Sequence, residues 1–312
     1  MVIFTVALFL YFVKVLMPLA APAFVTINTF ALALPLGLSF LALRWLDLAF
    51  AVRSRTRPAP ALGEYIGFML YPAVLASGPL MTLTDFQKSR IADYSIVDYG
   101  AGVARCGVGV AKKLLADAWI APAIATSYEA FIREPGAATA ALVAPMLLYN
   151  LAYIYLDFSA YADLATGTAR AMGRRVPENF DWPLLRSSLR SYWQHWHMTL
   201  SNWAMRRVYF PSFIETRSTA IATTAAMLTI GLWHFPDLGW TLWALHHAAG
   251  LVTNAAIDKA FGAVALHNAL RVIVGLLGWF ATVAWVALGY VVTLFDNLSL
   301  SLSAFRALLR IA

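Results

Sequence analysis

A chain of 312 residues that is 61% hydrophobic and only 12% charged, with a mean hydropathy of +0.69, has too little polar surface to cover a water-soluble globule of its size. Composition excludes a soluble enzyme or binding module and points to a polytopic membrane protein. The net charge of +7 and pI near 9.6 are accounted for by basic loops on a cytoplasmic membrane face, so no nucleic-acid partner is expected.

Apolar runs of spanning length fall at Val2–Ala20, Ala23–Val52, Gly136–Phe158, Thr219–Phe235, Leu238–Ala256 and Leu270–Leu294, with weaker ones at Leu62–Leu83 and Tyr99–Thr126. The first has no basic n-region and no small-residue cleavage site followed by a polar mature chain, so it reads as a retained helix and not a signal peptide. Between Tyr71 and Phe86 the dipeptide Gly78-Pro79 interrupts an apolar stretch. The freed backbone groups need protein or a wet cavity around them, which predicts a broken or re-entrant segment, with a kinked spanning helix as the alternative. The single cysteine, Cys106, excludes an internal disulfide.

Basic residues concentrate at Arg53, Arg55 and Arg57, and again at Arg170, Arg174, Arg175, Arg186, Arg190, Arg206, Arg207 and Arg217. By the positive-inside rule both regions face the cytoplasm. The second belongs to a polar segment over 163–218 that is rich in Trp, Tyr and Leu, and so is structured. After Pro183, the positions Leu184, Leu185, Leu189, Tyr192, Trp193 and Trp196 follow helical spacing, with Arg186, Arg190 and Gln194 on another stripe. That pattern predicts an amphipathic helix along the membrane interface.

Six histidines are the main candidates for chemistry. His195 and His267 lie in polar surroundings and read as structural. His234 closes an apolar helix with no other ionisable group after Arg217, and an ionisable group there is a functional candidate by default. As a neutral imidazole it can act as a general base. His197, in Trp196-His197-Met198-Thr199-Leu200-Ser201, is a candidate partner that orients or polarises a substrate hydroxyl or carbonyl. The pairs do not make the repeated histidine boxes of di-iron enzymes, so no metal is expected, and no GxSxG motif supports a serine hydrolase. Tyr153, Asp157 and Tyr161 share one helical face, suited either to a polar ligand or to tying helices together.

Several blocks together resemble the membrane-bound O-acyltransferase (MBOAT) family, in its bacterial branch for polysaccharide O-acetylation and teichoic acid D-alanylation. They are Leu34-Pro35-Leu36-Gly37 to Phe40, Tyr71-Pro72 through Gly78-Pro79 to Asp85-Phe86, Ala111-Lys112-Lys113 to Asp117, Tyr155 to Trp203, and Leu232-Trp233-His234 to His246-His247. The resemblance implies an all-α polytopic transmembrane bundle, one membrane-embedded domain over 1–312, with re-entrant and interfacial helices around a central cavity. Tyr11 to Lys14 resemble a block that family members precede with two or three further helices, which this chain is expected to lack. Phe235 stands where the family has glycine and Thr82 where it has arginine.

By the same resemblance His234 and His197 are the expected catalytic pair. Tyr155, Asp157, Ser159, Tyr161, Asp163, Asn179, Trp193, Trp196, Ser201, Trp233 and His247 are the expected substrate-binding residues. The implied function is transfer of an acyl group, acetyl in preference to aminoacyl, from a cytoplasmic acetyl-CoA or acyl carrier protein thioester across the bacterial inner membrane toward an extracytoplasmic polysaccharide. No bound cofactor is implied, and an extracytoplasmic acyltransferase is the expected partner. A catalytically impaired scaffold or acyl conduit is the alternative; a transporter is a third reading, for which no inverted repeat speaks.

Overall fold

A computed structural model describes residues 37–76, 78–261, 267–295 and 297–309. The expected span Val2–Ala20, the Tyr11 to Lys14 block and residues 23–36 of the next span, Leu34-Pro35 among them, lie outside the described residues. Among the described residues there is no β-strand, only an isolated antiparallel bridge between Arg90 and Arg174. Helices follow in the order Leu38–Arg53 (α1), Leu62–Met69 (α2), Pro72–Leu75 (α3), Leu83–Lys88 (α4), Ile96–Leu115 (α5), Ala121–Arg133 (α6) and Ala140–Ala171 (α7). Then come Leu189–His195 (α8), Met198–Ala204 (α9), Phe210–Thr216 (α10), Thr219–His234 (α11), Leu238–Phe261 (α12), Asn268–Gly289 (α13), Val291–Leu294 (α14) and Leu298–Leu309 (α15). The described residues fall into two compact units, one from those up to Ala111 with Ser159–Phe180 and His197–Pro211, the other from Lys112–Phe158, Asp181–Trp196 and those from Ser212 onward.

Among the described residues, two stretches are long and apolar enough to cross a membrane: α7 with 32 residues, and Leu270–Leu294 with 25. At 1.5 Å per residue α7 is about 48 Å long, more than a hydrocarbon core of about 30 Å requires. On α13 the side chains of Val272, Ile273, Leu276, Leu277 and Phe280 are each more than half exposed. In water such a surface would drive association; against lipid it needs no cover. The runs expected at Thr219–Phe235 and Leu238–Ala256 also form helices, but α11 has only 16 residues, about 24 Å.

In the first unit, small residues let helices meet backbone to backbone. A Cβ on Gly102 would lie 2.6 Å from the Gly167 carbonyl oxygen, and one on Gly167 would lie 2.6 Å from Cys106 Sγ. Gly102, Cys106 and Gly109 recur on one face of α5 against Ala160, Leu164, Gly167 and Ala171 of α7, the small-residue packing that replaces hydrophobic drive between membrane helices. Beside this contact, Arg105 pairs with Asp163 at 3.0 Å and with Glu178. Arg170 pairs with Asp98 at 3.0 Å and holds the Asp98 carboxyl below the usual carboxylate range. Leu48, Phe68, Val74, Met81, Phe86, Ala169 and Val176 form an apolar cluster around α2 to α4.

The stretch 62–83 is broken rather than a continuous span. Helix α2 stops at Met69, Pro72 opens the single turn α3, and Gly78 to Met81 are non-helical. The break is closed by capping: Thr82 accepts from the Asp85 backbone N–H, and Asp85 accepts from the Thr82 backbone N–H at 2.8 Å, a reciprocal capping box. One freed donor, Leu80 N–H, is answered by Thr199 Oγ1 at 2.9 Å.

In the second unit, α11 and α12 form an antiparallel pair around a turn at Phe235–Asp237. Gly231 is needed there, because a Cβ would come within 2.6 Å of the Trp240 carbonyl oxygen. The expected interfacial helix is shorter than its periodicity suggests. Pro183–Leu185 is a separate 3-10 turn, and α8 starts only at Leu189, where Ser188 Oγ accepts from Ser191 N–H. Leu184 and Leu185 therefore lie off that helix, whereas Leu189, Tyr192, Trp193 and Trp196 are buried and Arg190 and Gln194 exposed, as expected. Trp279 Nε1 donates to the Leu184 carbonyl at 2.7 Å and Arg190 N–H to Asn254 Oδ1 at 2.9 Å, which ties this segment to α13 and α12.

Replacing Gly167 with valine should destabilise the detergent-solubilised protein by about 1–3 kcal/mol or prevent its monodisperse recovery, through overpacking. Gly107→Val, whose Cβ meets nothing within 4 Å, should be close to neutral in the same thermal melt. Equal effects would contradict the backbone contact.

Candidate active site

His197 is the anchor of the first cluster, in the first unit. The chain leaves α8 through an extended Trp196, and His197 then adopts the left-handed region, φ 43° and ψ 51°, immediately before α9. For a residue with a Cβ this costs on the order of 1–2 kcal/mol, so surrounding contacts must hold it. They do so through Asn179. The Asn179 backbone carbonyl accepts from Met198 N–H at 2.9 Å. Its side-chain Oδ1 accepts from Thr199 Oγ1 at 2.8 Å, from Thr199 N–H at 3.3 Å and from His197 Nδ1 at 3.1 Å.

A backbone N–H can only donate, so its partner on Asn179 is the amide oxygen, and Thr199 fixes the orientation of that amide. The oxygen cannot donate in return, so His197 Nδ1 carries the proton in this contact. Asn179, His197 and Thr199 are all buried, the histidine at 2% exposure. The Phe40 ring stacks at 6.3 Å from the imidazole, and Ser201 lies one helical turn further on, its N–H bonded to the His197 carbonyl at 3.0 Å.

The second cluster belongs to the second unit and is aromatic. His234, the last residue of α11, is half-buried. It stacks on Trp240 at 4.5 Å between ring centroids, lies edge-on to Trp233 at 4.9 Å and approaches Trp243 at 6.0 Å. Trp240 is held by the start of α12, where its N–H donates to Asp237 Oδ1 at 2.7 Å. Two turns further along α12 His247, 1% exposed, packs against Trp243 at 4.5 Å and accepts from Trp193 Nε1 on Nδ1 at 3.4 Å. Its neighbour His246 stacks on Trp285 at 4.2 Å and meets the Trp285 carbonyl at 2.8 Å. Trp196 stacks on Tyr192 at 5.5 Å and lies 6.2 Å from Tyr155. Burial pushes the Tyr192 phenol well up, so it stays neutral.

The acids of α7 have cationic partners. Asp157 takes Lys113 Nζ at 2.5 Å, and Lys113 also reaches Asp117 at 2.9 Å; Tyr153 Oη donates to Asp117 at 3.3 Å. This is the helix-tying arrangement for the Tyr153 and Asp157 face, while Tyr161 is exposed at 42%. Asp163 is likewise engaged by Arg105, and Ser159 is buried at 2%. His195 is structural, its Nδ1 on the Ser191 carbonyl at 2.7 Å and Nε2 at 3.5 Å from Asp181, and His267 is exposed before α13. Thr199 and Arg105 carry no signal in the sequence that marks them as functional. Thr199 sits two residues from His197, and only the fold shows that its hydroxyl closes the Gly78-Pro79 break.

Comparison with known proteins adds an independent line. The family model for MBOAT, the membrane-bound O-acyltransferase family, matches residues 4–295. The chain is similar to a probable alginate O-acetylase AlgI of Pseudomonas aeruginosa, 28% identical over 283 residues that cover 88% of this chain and 51% of the relative. It is similar to the teichoic acid D-alanyltransferase of Bacillus subtilis, 26% identical over 242 residues, 72% of this chain and 60% of the relative. A peptidoglycan O-acetyltransferase of Helicobacter pylori is 28% identical over 160 residues, 50% of this chain and 29% of the relative. The chain thus spans about half the length of the alginate O-acetylases it matches. With nearly its whole length inside the family model, the chain belongs to the membrane-bound O-acyltransferase family.

Proposed function

We propose that this chain is a multi-pass acyltransferase of the bacterial inner membrane that moves an acetyl group from a cytoplasmic thioester, acetyl-CoA or an acyl carrier protein, toward an extracytoplasmic polysaccharide. The observation that supports it most is His234: an imidazole at the end of an apolar helix, held against Trp240 and Trp233, in a chain matched by the family over 4–295. Acetyl is favoured over D-alanyl because the alginate O-acetylase relative matches 88% of the chain and the D-alanyltransferase 72%.

In acyl transfer to oxygen, the hydroxyl oxygen attacks the thioester carbonyl carbon, the C–S bond breaks, and the hydroxyl proton ends on the departing sulfur. A neutral imidazole can accept that proton and return it, the task proposed for His234. His197 is its partner in orienting a substrate. Trp233, Trp193, Trp196, His247, Tyr155 and Ser201, together with Asp157, Ser159, Tyr161, Asp163 and Asn179, are the residues proposed to meet substrate or to shape the site around it. The loops described here are too short to supply the extended groove a polymer needs, so a separate extracytoplasmic transferase is proposed to take the acyl group onward.

His234→Ala should abolish acetyl-CoA consumption by the purified protein while membrane yield stays near wild type, since alanine is inexpensive in an apolar helix. Activity within twofold of wild type would refute the assignment. The Arg53 to Arg57 loop and the 163–218 segment are proposed to be cytoplasmic. In a Cys106→Ser background, cysteines at Ser54 and Ser188 should resist an impermeant thiol reagent in intact cells; labelling of either from outside would refute this topology.

A further inference from the structure

We propose that Asn179 is a positioning residue for His197: it fixes the imidazole as the Nδ1–H tautomer, so that Nε2 is the basic nitrogen and His197 acts on a hydroxyl substrate as a hydrogen-bond acceptor. The inference rests on the acyl-transfer reading above and decides between its two roles for His197. A histidine that polarised a thioester carbonyl would have to present an N–H to it. With the proton of the neutral ring committed to Asn179, the other nitrogen presents a lone pair, which suits the hydroxyl of the acceptor and not the carbonyl of the donor.

The geometry carries this in three steps. Thr199 N–H, which can only donate, meets Asn179 Oδ1 at 3.3 Å, so the atom facing His197 Nδ1 at 3.1 Å is an oxygen and the histidine is the donor. Second, the arrangement is rigid. Asn179 is 1% exposed, its backbone carbonyl holds Met198 N–H at 2.9 Å, and Thr199 Oγ1, donating to the same oxygen at 2.8 Å, is itself held by Leu80 N–H at 2.9 Å. Third, the left-handed backbone of His197, φ 43°, is an uncommon state that needs surroundings to impose it, and Asn179 holds both its side chain and the two residues that follow it, accepting from His197 Nδ1, Met198 N–H and Thr199 N–H. A ring fixed in tautomer and direction by a neighbouring carbonyl is what a histidine that orients a substrate hydroxyl requires, the proton itself passing to His234 when the bond forms.

The test uses the full chain purified in nanodiscs, with acetyl-CoA as probe. Asn179→Leu, similar in size but unable to accept, should lower kcat about a hundredfold, at the low end of what acid–base groups contribute, with KM for acetyl-CoA within twofold. Asn179→Asp, whose carboxylate can accept the same bonds, should recover to within about tenfold of wild type. Equal losses in the two variants, or Asn179→Leu within twofold of wild type while His197→Ala is inactive, would overturn the positioning role alone. Full activity of His197→Ala would instead overturn the catalytic reading beneath it. Should Asn179→Leu fail to fold, ring nitrogen NMR shifts of 15N-histidine-labelled wild type, with His197→Ala for assignment, decide independently of activity. Protonated Nδ1 is expected, and protonated Nε2 would overturn the proposal.

Discussion

Polar groups carried among apolar helices have to be answered from within the protein, because lipid offers them nothing. Much of the described structure follows from how this chain meets that demand. Where Gly78-Pro79 breaks the helical ladder, Leu80 N–H turns to Thr199, and Thr199 turns to Asn179. The same oxygen then holds His197. A structural obligation, the capping of a broken segment, and a chemical one, the orientation of an imidazole, share one amide.

The ionic residues follow the same constraint. Asp163 on α7 meets Arg105, and Asp157 on the same helix meets Lys113. An unpaired carboxylate on an apolar helix would cost several kcal/mol, so these pairs allow α7 to carry acids at all. They also change how the acids are best read. As residues with cationic partners they hold helices in place, whereas His234 is packed among the aromatic rings of Trp233, Trp240 and Trp243. The approach of α5 to α7 through glycines complements both, since close backbones bring the short acidic side chains within reach of the long basic ones.

The all-helical class was legible from composition, and of the six expected spanning runs those at Gly136–Phe158 and Leu270–Leu294 fall on helices of membrane-crossing length and apolarity among the described residues, because hydrophobic length depends on sequence alone. His234 was legible as an ionisable group at the end of an apolar helix, and the Gly78-Pro79 break as a proline in an apolar run. The start of α8 was not: the apolar spacing of Leu184 and Leu185 continues the stripe, yet Ser188 caps a new helix at Leu189, and local capping outweighs periodicity. Nor could spacing distinguish substrate contact from ion pairing at Asp157 and Asp163, since their partners lie 44 and 58 residues away. The tautomer of His197 depends on which atom of Asn179 faces it, a matter of three dimensions only.

Sided thioester consumption tests the central claim most directly. The chain is reconstituted in one orientation in proteoliposomes, and labelled acetyl-CoA is supplied on one face or the other together with a small hydroxyl acceptor. The account predicts acetyl transfer only from the face bearing the Arg53–Arg57 loop, and none with His234→Ala. Folded, correctly inserted protein that consumes no thioester from either face would contradict it and leave the chain as a scaffold.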